Sequence, residues 1–165
     1  MKEECRLINN KRIIVDADAC PVKDEIISAA VTAGAEVLFV ASYAAFRKEE
    51  QSLPEQVQMV YVDQGFQAAD MYIANAARSG DIVVTNDYGL AALCLPRGAK
   101  VLSPRGSEYS ASNMDDLLSQ RHLSAKARRA GHRTKGPRAM AEEDKRAFQH
   151  KLTKLLRPEQ DYPAT

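Results

Sequence analysis

Paired cysteines, long apolar runs and internal repeats are all missing from this chain, and each absence removes a class of protein. The three cysteines, Cys5, Cys20 and Cys94, stand at unrelated spacings, which excludes a disulfide framework and a cysteine-based zinc site. Reduced thiols in a cytoplasm are the expectation. The longest apolar candidate, Val37 to Phe46, is broken by Ser42 and falls far short of the roughly 20 residues of a membrane span. The first residues, Met1-Lys2-Glu3-Glu4-Cys5-Arg6, are charged and no apolar segment of signal-peptide type follows them, so a soluble cytoplasmic protein with no membrane partner is expected. What is there, 165 residues of which 45% are hydrophobic, suits one domain with a substantial core and at most a small appendage.

The formal charge of +1 is close to neutral only in total. Residues 1–120 hold 11 Lys and Arg against 17 Asp and Glu, a balance of −6. Residues 121–157 hold 12 against 3, a balance of +9, and the last eight residues add −2 through Glu159 and Asp161. An acidic body thus carries a basic C-terminal arm. Such asymmetry points to a polyanionic partner such as nucleic acid, or else to Lys and Arg that merely solvate helix faces.

Strand and helix signals alternate along the body. Strands are predicted over about 12–17, 36–41, 57–62, 81–85 and 99–102. Helices are predicted from Pro21 to Ala33 with Gly34 as stop, from Gln67 to Arg78 with Gly80 beyond, and near Gly89 to Leu95. This order favours a five-stranded, mainly parallel sheet with helices on both faces, joined by right-handed crossovers. Ser112-Asn113-Met114-Asp115 reads as a capping box opening a helix whose Leu117 and Leu118 face inward. A Gly/Arg-rich break over Gly131 to Pro137 precedes a last helix, Ala141 to Leu156, with Phe148, Leu152, Leu155 and Leu156 as its apolar stripe. Residues 1–120 then form an α/β domain, 121–157 a basic helical extension packed on it, and 158–165 a tail.

Function is signalled by carboxylates where apolar strands end. Ile13-Ile14-Val15 runs into Asp16 and Asp18, Val57 to Val62 into Asp63, and Ile82 to Thr85 into Asp87. In a parallel sheet the carboxyl ends open into the crevice where ligands bind, so these acids converge. Packed carboxylates repel, and hard oxygen donors suit Mg²⁺ or Mn²⁺. Asp70 adds a separate signal: it is i to Ile73, Ala74 and Ala77 at i+3, i+4 and i+7, a carboxylate on a buried stripe. It either points at the crevice shared by Asp16, Asp18 and Asp87 or caps its helix. Thr85 and Asn86 should face the same crevice, and Asp87 doubles as a candidate N-cap for the next helix. Asp81, ahead of its strand, belongs at the far edge as a structural turn residue with Gly80.

Val15-Asp16-Ala17-Asp18-Ala19-Cys20-Pro21, Ala69-Asp70, Gly80-Asp81-Ile82-Val83-Val84-Thr85-Asn86-Asp87-Tyr88-Gly89-Leu90-Ala91, Pro104-Arg105-Gly106 and Gly136-Pro137 resemble the signature blocks of the bacterial YaiI/YqxD family. The resemblance covers about residues 12–156. It implies a PIN-like, three-layer α/β/α fold and metal-dependent cleavage of RNA by clustered acids. Carried over block by block, it makes Asp16, Asp18, Asp70 and Asp87 the catalytic metal ligands. One departure is Gln67, where many members carry an acid; if that acid is a ligand, this chain holds one metal more weakly.

Phosphodiester hydrolysis fits this cluster, with one or two Mg²⁺ or Mn²⁺ ions holding the scissile phosphate and activating water. Arg105 is a candidate phosphate clamp or a surface turn residue. Arg128, Arg129, Arg133, Lys135 and Arg138 are placed to track a nucleic-acid backbone, single-stranded RNA before DNA, with little sequence preference because stacking aromatics are sparse in the arm. Exposed basic helices also leave room for a homodimer. Cys20, before Pro21 at a helix start, reads as a small buried thiol, or as a reactive one. Two alternatives stay open. Asp16-Ala17-Asp18 also resembles the first motif of haloacid-dehalogenase-type phosphatases, with Asp16 as nucleophile, although no paired carboxylates follow Lys100 at a strand end. Gln67 supports the other, a nucleic-acid-binding module without catalysis.

Overall fold

In the computed structural model, residues 11–43, 53–63, 68–131 and 139–157 are described. A single sheet organises them. Its strands are β1 (Arg12–Asp16), β2 (Glu36–Ser42), β3 (Val57–Val62), β4 (Ile82–Val84), β5 (Lys100–Leu102) and β6 (Glu108–Tyr109), in the spatial order β3-β2-β1-β4-β5-β6. The first five are parallel, with Ile14 level with Leu38 on one side and Val83 on the other. The helices are α1 (Lys23–Ala33), α2 (Ala68–Ala76), α3 (Tyr88–Cys94), α4 (Ala111–Arg129) and α5 (Glu142–Leu156).

β1 explains the layering. Ile13, Ile14 and Val15 are all fully buried, the pattern of a central parallel strand covered on both faces. Ile13 and Val15 meet Ile26 and Ala30 of α1 and Phe148, Leu152 and Leu156 of α5. Ile14 faces Ile73 of α2, Leu90 of α3 and Met114 of α4 on the opposite side. These two apolar layers make the α/β/α sandwich that the alternating sequence implies. α5, drawn from the basic segment, is thus part of the core.

Two expectations are corrected. The sheet has six strands, because the chain reverses after β5 and adds the two-residue β6 antiparallel to it. Gly106, at φ 92°, closes that turn, donating its N–H to the Ser103 carbonyl at 3.0 Å. The α4 capping box also lies two residues earlier than predicted, with the Asn113 carboxamide oxygen accepting the Ser110 N–H at 2.9 Å. Other ends agree within two residues; α1 begins at Lys23 and stops on left-handed Gly34. The side chains of Leu117 and Leu118 lie outside the described set, as do most residues of the Gly/Arg-rich break and the tail. Asp81 sits at the far edge of the sheet as expected, buried and bonded to the Arg12 guanidinium at 2.7 Å and the Arg78 N–H at 2.9 Å.

Candidate metal centre

Because β1 and β4 are neighbours in register, Asp16 and Thr85 emerge side by side at their carboxyl ends. Strand alternation turns Asp16 to the side of Ile14, and Thr85 to the side of Val83, which is the layer of α2 and α3. The Thr85 hydroxyl donates to Asp16 Oδ2 at 3.3 Å and accepts the Asp87 N–H at 3.0 Å. Asp87 Oδ1 then accepts the Gly89 and Leu90 N–H groups at 2.8 and 3.4 Å, capping α3. From across the layer, Asp70 in the first turn of α2 hydrogen-bonds Asp87. Ile73, Ala74 and Ala77 of the same stripe are buried beneath it. The far end of α2 is held by Arg12, which donates to the Ala76 carbonyl at 2.7 Å, and by Arg97, which donates to that of Ala74.

The carboxyls respond to one another. Burial raises the Asp16 pKa, the Thr85 hydrogen bond opposes that, and the charges of Asp18 and Asp87 add to it. Asp70 is pushed up to about 6, first by burial and then by the hydrogen bond and charge of Asp87 and the charge of Asp16. Asp18 stands on the rim: it is exposed, and its Oδ1 accepts the Ser42 N–H at 2.9 Å and hydroxyl at 3.2 Å. Asp63 does not join this cluster, contrary to expectation. It is exposed beyond edge strand β3, two strands and roughly 10 Å from β1 at the usual strand spacing.

Beside the acids opens a cleft of about 1020 Å³, whose lining includes Asp16, Asp18 and Asp87 together with Lys23, Arg105 and Arg128. Asn86 is exposed at its edge. Thr85, at 2% exposure, cannot face a substrate as predicted, so its hydroxyl serves to orient Asp16 and the Asp87 backbone. Arg105 lines the cleft and also bonds Asp144 Oδ2 at 3.1 Å, so it is anchored in the fold and is no mere surface turn residue. Arg129 is exposed on the last turn of α4 and does not line the cleft. Gln67, Arg133, Lys135 and Arg138 lie outside the described residues. Cys20 is half-buried at the cleft, its thiol pushed up to about 11 mainly by burial, which suits an inert thiol. Sequence reasoning missed Lys23, Ser42 and Tyr88. Only Ser42, the last residue of a strand parallel to β1, carried a positional signal.

Asp16, Asp70 and Asp87 offer hard carboxylate oxygens, the donor chemistry of Mg²⁺ and Mn²⁺. Among the described residues no three such groups stand close enough to grip an ion as they are. On donor type, charge and mutual repulsion the set fits a divalent ion. Asp16, Asp70 and Asp87 would hold it, with Asp18 on the rim.

No helix among the described residues is long and apolar enough to cross a membrane. No solved structure matches the chain. A UPF0178 protein of Shouchella clausii is 45% identical over 148 residues, covering 90% of this chain and 94% of that protein. One from Bacillus velezensis is 47% identical over 152 residues, covering 91% and 89%. One from Halalkalibacterium halodurans is 46% identical over 144 residues, covering 87% and 89%. The family model described as "Uncharacterized BCR, YaiI/YqxD family" matches residues 14–158. With that match and these relatives, the chain belongs to the YaiI/YqxD family.

Proposed function

We propose that this protein is a metal-dependent phosphodiesterase of the PIN-like kind, acting on nucleic acid and on RNA before DNA. The meeting of Asp16, Asp70 and Asp87 at the carboxyl ends of parallel strands, with Lys23, Arg105 and Arg128 lining the same cleft, is the observation that carries this reading. Parallel sheets place ligands at this edge. A structural role alone gives no reason to crowd three carboxyls so closely that Asp16 and Asp70 both hold their protons more tightly than usual.

Bound Mg²⁺ or Mn²⁺ would supply Lewis-acid polarisation of the phosphate and a nucleophile at neutral pH. The chain's own part is positional. Asp16, Asp70 and Asp87 hold the charge, Thr85 fixes the rotamer of Asp16, and the α3 cap fixes Asp87. Arg105, braced by Asp144, and Arg128 with Lys23 attract the phosphate backbone across the cleft. The resemblance to PIN domains supports the choice of RNA.

Incubation of the purified protein with single-stranded RNA and Mn²⁺ or Mg²⁺ tests the proposal. Cleavage is expected, abolished by EDTA and reduced at least ~100-fold in Asp16→Asn, by analogy with the loss of one electrostatic group from a catalytic site. No cleavage by the wild type, or equal cleavage by Asp16→Asn, overturns it. A phospho-aspartate trapped at Asp16 would instead indicate phosphatase chemistry of the haloacid-dehalogenase kind.

A further inference from the structure

Two tyrosines stand at the same carboxyl edge of the sheet as the acids. Tyr43 follows the last residue of β2, and Tyr61 lies near the end of neighbouring β3. Their rings are stacked, with centroids 6.0 Å apart and planes 23° from parallel. Tyr61 is half-buried against the apolar layer of α1 and α5. Tyr43 is 59% exposed. Residue 42, the last of β2 and the neighbour of Tyr43, is the serine whose N–H and hydroxyl both hold Asp18. One side of the tyrosine pair is therefore linked through a single peptide to the rim of the acidic cluster.

A lone exposed aromatic is ordinary on a protein surface. This one differs in being fixed. The partly buried ring of Tyr61 backs it, so little side-chain freedom is left to lose when a second flat group settles on it. Along the carboxyl edge the strand order then gives Tyr61 and Tyr43, outside the cleft lining and with Tyr61 on the α1/α5 face, next the acids of β1 and β4 on the α2/α3 face, and finally Arg105 after β5. A neutral, flat, π-faced surface at one end and cations at the other match the two chemistries of a nucleotide chain. Bases paired in a duplex are covered by their neighbours on both faces, whereas an unpaired base offers a free one.

We infer that Tyr43, backed by Tyr61, is a stacking platform for an unpaired nucleobase of the substrate, which makes single-stranded nucleic acid the substrate class. The inference rests on the phosphodiesterase reading, but base stacking needs no metal, so binding can be measured in EDTA apart from cleavage. The chain has no tryptophan, so Tyr43→Trp installs a single indole at the platform, excitable apart from the tyrosines at the red edge of their absorption.

In EDTA, fluorescence anisotropy with labelled single-stranded RNA and DNA oligonucleotides should show binding by the wild type and by Tyr43→Phe. Tyr43→Ala should bind about five- to 150-fold more weakly, the loss of one base–aromatic stack. Tyr43→Trp emission should be quenched saturably by the single strands and far less by a duplex or an abasic oligonucleotide. Circular dichroism melts confirm that each variant is folded. Affinity of Tyr43→Ala within twofold of wild type, an unquenched Tyr43→Trp at saturation, or no binding by the wild type overturns the inference. Tyr43-dependent binding without cleavage in Mn²⁺ keeps it and removes the nuclease reading. Cleavage indifferent to Tyr43 does the reverse.

Discussion

Thr85 shows how much one small side chain can organise. Its buried hydroxyl donates to one acid, Asp16, and accepts from the backbone of another, Asp87, so two ends of the cluster share one pivot. Replacing it with Val keeps the shape and removes both bonds. The Asp87 N–H then loses its partner inside the protein, a loss that typically costs about 1–3 kcal/mol. Asp16 also loses the one contact that lowers its pKa, so its proton should be held to higher pH. Urea denaturation of Thr85→Val should show an unfolding free energy lower by that amount, with Thr85→Ser nearer to wild type. Equal stability of Val and wild type would mean that the hydroxyl is not holding Asp87. In sequence, Thr85 looked like a cleft residue because it follows an apolar strand. Its role was not legible there, since a strand residue's direction depends on where pairing ends, and β4 stops at Val84, one residue short of the predicted strand.

At the scale of elements, the last helix and the turn after β5 hold each other in place. Arg105 bonds Asp144, Lys151 reaches Glu108 of β6 at 3.2 Å, and Gly106 packs directly on the α5 backbone. A Cβ at Gly106 would lie 3.1 Å from backbone atoms of Ala147 and Phe148, at a φ that side chains rarely adopt. Gly106→Ala should therefore destabilise by about 1–3 kcal/mol through overpacking and strain. Denaturant unfolding of that variant against Gly80→Ala, at φ 90° with nothing within 4 Å of the added Cβ, separates the α5 contact from φ alone. The alternation of strands and helices was legible because each is a run of several residues with its own period, and so was the inward stripe of Phe148, Leu152 and Leu156. β6 was not, since two residues carry no period. Nor was the Arg105–Asp144 pair, whose members are 39 positions apart and meet only once α5 has docked. Asp63 misled because a strand-end acid looks the same on an edge strand as on a central one.

For the whole molecule, the acid cluster makes stability depend on protons and on divalent ions together. Asp70 in the fold binds its proton up to about pH 6, above the ordinary carboxylate value of 3.8. A raised acid pKa means that the native state holds the proton more tightly than the unfolded chain. Its contribution is full below the ordinary value, fades as pH rises through about 6, and leaves repulsion above that. Without metal, Asp70→Asn should therefore melt higher than wild type at pH 8 and lose that advantage at pH 4. Mn²⁺ should act in the opposite direction to the proton. At a free concentration of about 100 times Kd it stabilises the folded state by about 2.7 kcal/mol, a rise in Tm of roughly 5–11 °C for a chain of this size. That rise should be present at pH 8, shrink at pH 5 where the proton competes for Asp70, and be lost in Asp16→Asn. Scanning calorimetry at the two pH values with and without Mn²⁺ reads all of these. The same Mn²⁺ response in Asp16→Asn, or one that does not weaken at pH 5, would show that the ion binds somewhere other than among these carboxyls.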